Sequence, residues 1–184
     1  MPDTQDPQTL LTASGDTRRI PKPITWETGH GSTVPPEHTS STAPDAAPAL
    51  PPDAPHWQVG LNDWLTHQAD WANRTHIPGL VLTSDTDPAA LGGLDTTIAP
   101  AWITIEFPVY TDGRGFTLAQ LLRTRHHWTG ELRASGDVMI DTVFYLRRCG
   151  FDSYLLKPGH DTPAAQQALH TFTAAYQTVY PLGI

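Results

Sequence analysis

From Trp57 onward, short apolar runs alternate with segments whose apolar residues recur at helical spacing. Residues 57–75 carry Leu61, Trp64, Leu65 and Trp71 near that spacing, with Asn62 or Asp63 as the cap and Ile77-Pro78-Gly79 as the breaker. Leu80-Val81-Leu82 predicts a strand, and Asp87 before Pro88 starts a helix of about two turns that Gly92-Gly93 ends. Residues 102–107 predict the next strand. Leu118, Leu121, Leu122 and Arg125 mark a helix stripe behind a Thr117 cap, and residues 130–134 predict a third strand. Asp137 then caps a helix bearing Val138, Ile140, Val143, Phe144 and Leu146, with Arg147 and Arg148 at its end, where cations suit the helix dipole. A fourth strand follows over 151–156. Thr162-Pro163 opens the last helix, striped by Ala165, Leu169, Phe172, Tyr176 and Val179.

Strands alternating with helices through short connections imply parallel pairing and right-handed crossovers, here about four βα units. The expected fold is α/β, either half of a (βα)8 barrel or a small doubly wound sheet. Strands covered by helices on both faces are apolar throughout. Here Thr104 and Glu106 alternate with Ile103, Ile105 and Phe107, and Glu131 and Arg133 alternate with Leu132 and Ala134. One face of the sheet therefore carries charge, which leans toward the barrel piece. A concave charged face with open sheet edges also gives the chain a reason to form a homodimer.

Composition changes the picture mainly before Trp57. Eleven of the 18 prolines lie in residues 1–55, where aliphatic residues stand singly. Such a segment buries too little apolar surface to offset its ordering entropy. Residues 1–55 read as a disordered Pro-rich tail, with 18–26 as the one stretch able to dock, and residues 56–184 as a single α/β domain. Deleting the tail is expected to leave stability nearly unchanged. No charged start with an apolar run and no long apolar stretch is present, so no signal peptide or membrane span is expected. One cysteine excludes an intrachain disulfide, and a cytoplasmic location follows. A net charge of −8 argues against nucleic-acid binding. The charge is uneven: residues 56–106 hold one Arg against six carboxylates, and 107–150 hold six Arg against four. An anion is drawn to the second region.

Thr111-Asp112-Gly113-Arg114-Gly115 follows a strand and precedes a helix, where α/β folds bind ligands. Two glycines freeing the backbone for positive φ, the amides of a helix start and the Arg114 fork read as an anion site. Arg133, on the next strand, and Ser135, just after it, join that set, with Glu106, Glu131, Asp137 and Asp141 supporting. The plainer reading has Asp112 capping the turn, the glycines shaping it and Arg114 paired with Glu106 or Glu131. Asp137 likewise reads as an N-cap, and with Asp141 one turn on as a carboxylate pair that complements the helix dipole or holds a cation.

Cys149 sits at a helix C-terminus, the wrong end to stabilise a thiolate, and reads as buried and structural. His126 and His127 are adjacent on a helix, point apart and have no third ligand at metal spacing. No dinucleotide fingerprint, phosphate loop, CxxC pair or nucleophile elbow occurs, so no cofactor is evident in the chain, and supply by a partner is left open.

Phe107-Pro108, Thr111-Asp112-Gly113-Arg114-Gly115, Leu121-Leu122-Arg123, Gly130-Glu131-Leu132-Arg133-Ala134, Gly136-Asp137-Val138 and Arg147-Arg148-Cys149-Gly150-Phe151-Asp152 occur in fixed order. This run resembles domain-of-unknown-function family 934, an uncharacterised bacterial family, most strongly over residues 100–155. The resemblance implies an oxidoreductase-type role in sulfite reduction and supplies no catalytic residues. Val109 stands where a lysine is common in that family, Phe116-Thr117 replace Tyr-Ser, and Thr142 follows Asp141 where glutamine is usual. Two roles follow as expectations. One is an accessory, sulfur-oxyanion-binding component of sulfur assimilation; the other is a non-catalytic adaptor for sulfite reductase, meeting it through the charged strand face and the Arg147-Arg148 helix end.

Overall fold

The computed structural model describes residues 8–26, 50–94 and 98–171. Eight strands form one sheet: β1 (Gln8–Thr12), β2 (Thr17–Ile20), β3 (Ile24–Trp26), β4 (Trp57–Gly60), β5 (Gly79–Thr83), β6 (Ile103–Phe107), β7 (Leu132–Gly136) and β8 (Ser153–Leu155). The helices are α1 (Leu61–Thr66), α2 (Gln68–Trp71), α3 (Arg114–Thr124), α4 (Val143–Arg148) and α5 (Thr162–Ala168). The sheet order is β2-β1-β8-β7-β6-β5-β4-β3, with β3 through β8 all parallel.

The six parallel strands stand in chain order, so every crossover steps the same way. Right-handed crossovers then put the connecting helices on one face. This is half-barrel winding; a doubly wound sheet would reverse its order at a switch point. β1 and β2 extend it as an antiparallel hairpin beside β8, with Leu10 opposite Leu155 and Leu11 opposite Tyr154.

β2 and β3 occupy opposite ends of the sheet order, yet only Pro21-Lys22-Pro23 separate them. Seven strand spacings make a flat sheet roughly 34 Å wide. The four peptide steps from Ile20 to Ile24 reach at most about 14 Å. The sheet must therefore curl until its two ends approach each other, which brings together the open edges from which a homodimer was expected.

Side-chain alternation now sorts by face. Val59, Leu80, Ile103 and Leu132 form one row across β4 to β7, and Leu82, Ile105, Ala134, Tyr154 and Leu11 form another. All are buried against the helices, whose Trp64, Trp71, Leu118, Leu122, Val143 and Leu146 complete the core. The rows between, Val81-Thr104-Arg133-Ser153 and Thr83-Glu106-Ser135, face the concave interior.

Residues 8–26 depart from the expected tail. Leu10 and Leu11 are buried, and the Gln166 side chain donates to the Gly15 carbonyl at 2.6 Å. The sheet supplies what local sequence lacks, since β8 offers an edge and the core offers cover. Residues 50–55 depart from the expected tail too, with Pro51 buried and Asp53 accepting the Thr75 and His76 amides at 3.0 and 2.9 Å. The remainder of the tail, 1–7 and 27–49, lies outside the described residues, as do Phe172, Tyr176 and Val179.

Other differences are local. Residues 57–60 are a strand, because Val59 pairs with Leu80 inside the sheet, and α1 follows without a side-chain cap. α3 begins at Arg114, ahead of Thr117, because Asp112 Oδ1 accepts the Arg114 amide at 3.1 Å. After Gly136 the chain turns at Asp137, is extended at Met139, and α4 starts only at Val143. Arg147 and Arg148 do end α4, and Cys149 is buried behind it.

Candidate functional site

The C-terminal ends of the parallel strands open into two adjoining cavities. The inner one, about 260 Å³, lies in the concave interior between β6, β7 and β8 on one side and β3 and β4 on the other. Glu106, Ser135, Thr104, Gln58, Thr25 and Lys22 line it. The outer one, about 660 Å³, sits at the mouth and is bounded by Lys22, Lys157, Gly159, His160 and Thr162. Gln8, Lys22, Leu155, Leu156 and Pro158 line both, so the two adjoin. The side chains of Glu106, Ser135 and Lys22 have no hydrogen-bond or ion-pair partner among the described residues.

The Thr111 to Gly115 loop is built differently from the expected anion cradle. Asp112 Oδ1 accepts Arg114 Nε at 3.0 Å, and Oδ2 accepts Arg114 Nη2 at 2.8 Å and Ser84 Oγ at 2.6 Å. These donors, Arg114 first, hold the Asp112 carboxyl far below the ordinary carboxylate range. Asp112 is thus both the cap and the partner of Arg114, replacing the expected partners Glu106 and Glu131. Asp112 is 9% exposed against 62% for Arg114. Neither glycine supplies positive φ. Gly113 has φ −72°, whereas Gly115 lets α3 approach β6: a Cβ there would meet the Phe107 ring at 2.6 Å. Thr111 is exposed.

Arg133 does not join Arg114. It is buried, its Nη2 lies 2.8 Å from Glu131 Oε1, and its guanidinium lies 5.1 Å from the Trp102 ring. Ser153 Oγ donates to the same Glu131 oxygen at 2.7 Å. Glu131 and Trp102 precede β7 and β6, so this cluster sits toward the N-terminal ends of the strands. Ser135, next to Glu106 in the ladder, is the member of the expected set that reaches the inner cavity with it.

Asp137 is a tie between loops, not a helix cap. Its Oδ2 accepts the Tyr110 amide at 3.1 Å and its Oδ1 pairs with Lys157 Nζ at 2.7 Å. Lys157 is the main reason its carboxyl is held below the ordinary value. Gly136 makes the turn possible: at φ +87° its missing Cβ would lie 2.3 Å from the Phe107 carbonyl oxygen, which accepts the Asp137 amide. Asp141 is exposed in the 3-10 turn Ile140–Thr142 and makes no pair with Asp137. Cys149 Sγ is pushed up by burial, which suits a structural thiol. Among the described residues no three of His, Cys, Asp or Glu cluster as metal ligands, and no helix is long and apolar enough to cross a membrane.

Lys22, Gln58, Lys157 and His160 were missed as site residues. Lys22 carries the one available signal, a cation held between two prolines, but in a stretch assigned to the tail.

The polar interior, the single-sided helices and the cleft at the strand C-termini define a curled half-barrel α/β protein with a ligand-sized opening. The model of the family described as "Bacterial protein of unknown function (DUF934)" matches residues 79–181, more than half of the chain, and the chain belongs to that family. No curated protein and no solved structure matches it.

Proposed function

We propose that this protein is an accessory, anion-binding component of assimilatory sulfur metabolism in the cytoplasm, acting through the mouth of the half-barrel. The sulfur context comes from the family resemblance. One observation supports the placement: in a chain of net charge −8, the outer cavity is lined by Lys22, Lys157 and His160 and by no carboxylate, and Lys22 is the lysine that Asp137 does not offset. Such a mouth attracts oxyanions against the field of the whole chain. The Thr111 to Gly115 loop is a weaker anion site than its sequence suggests, because Asp112 already neutralises Arg114. Oxidoreductase chemistry, where the pathway needs it, then resides with the partner that supplies electrons. Calorimetric titration of the full chain with sulfite, sulfate and phosphate tests the reading. Binding that weakens at least tenfold in Lys22→Ala and stays within threefold in Arg114→Ala supports it; absence of binding below millimolar concentration overturns it.

The adaptor reading survives on a different surface from the one expected. The charged strand face turns inward, and Arg147 Nη1 donates to the Leu169 carbonyl. Val109 and Tyr110 are instead half-exposed, on a loop pinned by Asp137. Aromatic residues on a rigid loop suit contact with a partner such as sulfite reductase. A pull-down with that enzyme that Tyr110→Ser abolishes supports the adaptor; an unchanged complex counts against this surface.

A further inference from the structure

The cavities are large for a bare oxyanion. At about 660 Å³ the outer one lies within the range that holds organic ligands, while a single water takes roughly 30 Å³. The two linings also differ in character, and Glu106 is exposed to solvent. The mouth presents Lys22, whose side chain has no partner among the described residues, beside Lys157, which pairs with Asp137, and His160, which interacts with the same carboxylate. The inner cavity presents a single acid, Glu106, set among the neutral hydrogen-bonding groups of Ser135, Thr104, Gln58 and Thr25.

An unpaired carboxylate repels an oxyanion and attracts an ammonium group. Lys22 lines both cavities and so stands beside the basic lining of one and Glu106 in the other. We propose that the cleft binds a zwitterionic small molecule: an organic sulfonate, sulfate ester or phosphate ester, its oxyanion at Lys22 and His160 and its amino group at Glu106. This rests on the anion-binding reading of the mouth and adds the ligand's second end. The three oxyanion sources share tetrahedral oxygen geometry, and the choice of probe separates them.

The test titrates the full chain by calorimetry with taurine, 2-aminoethyl sulfate and O-phosphoethanolamine, each beside inorganic sulfate or phosphate and beside N-acetyltaurine, which lacks the cation. At least one amino-bearing probe is expected to bind tenfold or more tightly than its inorganic counterpart, and N-acetyltaurine to lose that gain. Glu106→Gln should remove the gain while leaving inorganic-anion binding within threefold, so a folding defect cannot mimic the result. Lys22→Ala should weaken both. Equal affinity for organic and inorganic anions overturns the zwitterion proposal and leaves the anion site standing. No binding of any probe overturns both.

Discussion

Arg123 and Gly150 are fitted to one another. Arg123 donates to the Gly150 carbonyl through Nε at 2.9 Å and Nη2 at 2.8 Å, and Gly150, at φ +99°, leaves the space that Arg123 Cγ fills, 2.8 Å from where a Cβ would stand. The same guanidinium serves the carbonyls of Trp128 and Gly130 at 2.7 and 2.9 Å and pairs with Asp152. Asp152 Oδ2 in turn accepts the Leu132 amide at 2.8 Å, so the end of α3 is locked to the starts of β7 and β8.

Removing Arg123 leaves three carbonyls to share what water can reach. Arg123→Ala should destabilise by about 3 kcal/mol or more, since the arginine side is buried while Asp152 is half-exposed and partly rehydrated. Arg123→Lys should recover little, because an ammonium cannot reproduce the fork that meets four acceptors. Urea unfolding checks both; a loss under 1 kcal/mol for Arg123→Ala would remove the clamp from the account.

Glycines at two turns should respond in opposite senses. Gly136→Ala forces a Cβ against the Phe107 carbonyl at positive φ and should cost about 1–3 kcal/mol, loosening the tie from Asp137 to Tyr110 as well. Gly113 has ordinary φ and open space around its missing Cβ. Gly113→Ala should be neutral or stabilising by up to about 1 kcal/mol through the unfolded chain. Thermal melts of the pair decide; comparable losses would show that Gly113 has a role beyond loop shape.

What the sequence made legible follows from the range of the interactions involved. The four strands at Leu80, Ile103, Leu132 and Tyr154 show because each alternates or clusters apolar residues locally, and the Glu106 and Arg133 alternation pointed to the polar concave face. β1 was hidden, and β2 and β3 showed only as the stretch 18–26 able to dock, because nothing in 8–26 looks like a core segment until β8 and β4 supply partners. The candidate site was half visible for the same reason: Ser135 and Glu106 lie on those legible strands, while Lys22 reaches the cleft only because the sheet curls. Spacing also suggested that Arg114 and Arg133 share a ligand, but it carries no information on partners nearer at hand. Asp112 is two residues from one and Glu131 two residues from the other, and each pair closes locally.

Acid should unfasten the loops at the mouth. Asp112 is held below its ordinary value of 3.8 by Arg114 and Ser84, and Asp137 by Lys157 and the Tyr110 amide. A depressed carboxyl stabilises the fold fully above its unfolded value, and that contribution is lost as pH falls through the folded one. The stability difference between the natural chain and Asp112→Asn should therefore be flat above about pH 5 and shrink below 3.8. Urea midpoints from pH 7 down to the lowest pH at which the fold persists measure it, and a difference that grows on acidification would reverse the assignment.

The first strand provides the sharpest contrast with a dispensable tail. Leu11 is wholly buried in the row that runs through Tyr154, Ala134, Ile105 and Leu82, and Ala13 donates its amide to the Asp152 carbonyl at 2.8 Å. Leu11→Ala should cost about 2–4 kcal/mol from lost transfer energy and the cavity left behind. Removing residues 1–26 should cost more than that single change, because it also uncovers Leu155 and the β8 edge and takes Lys22 from the cleft. Differential scanning calorimetry of the full chain, the Leu11→Ala variant and the truncated chain ranks the three. A truncated chain that melts with the full one would return β1 to the status of a tail. Should the truncated chain still fold, its loss of oxyanion binding alongside Lys22→Ala would tie the strand to the site it helps build.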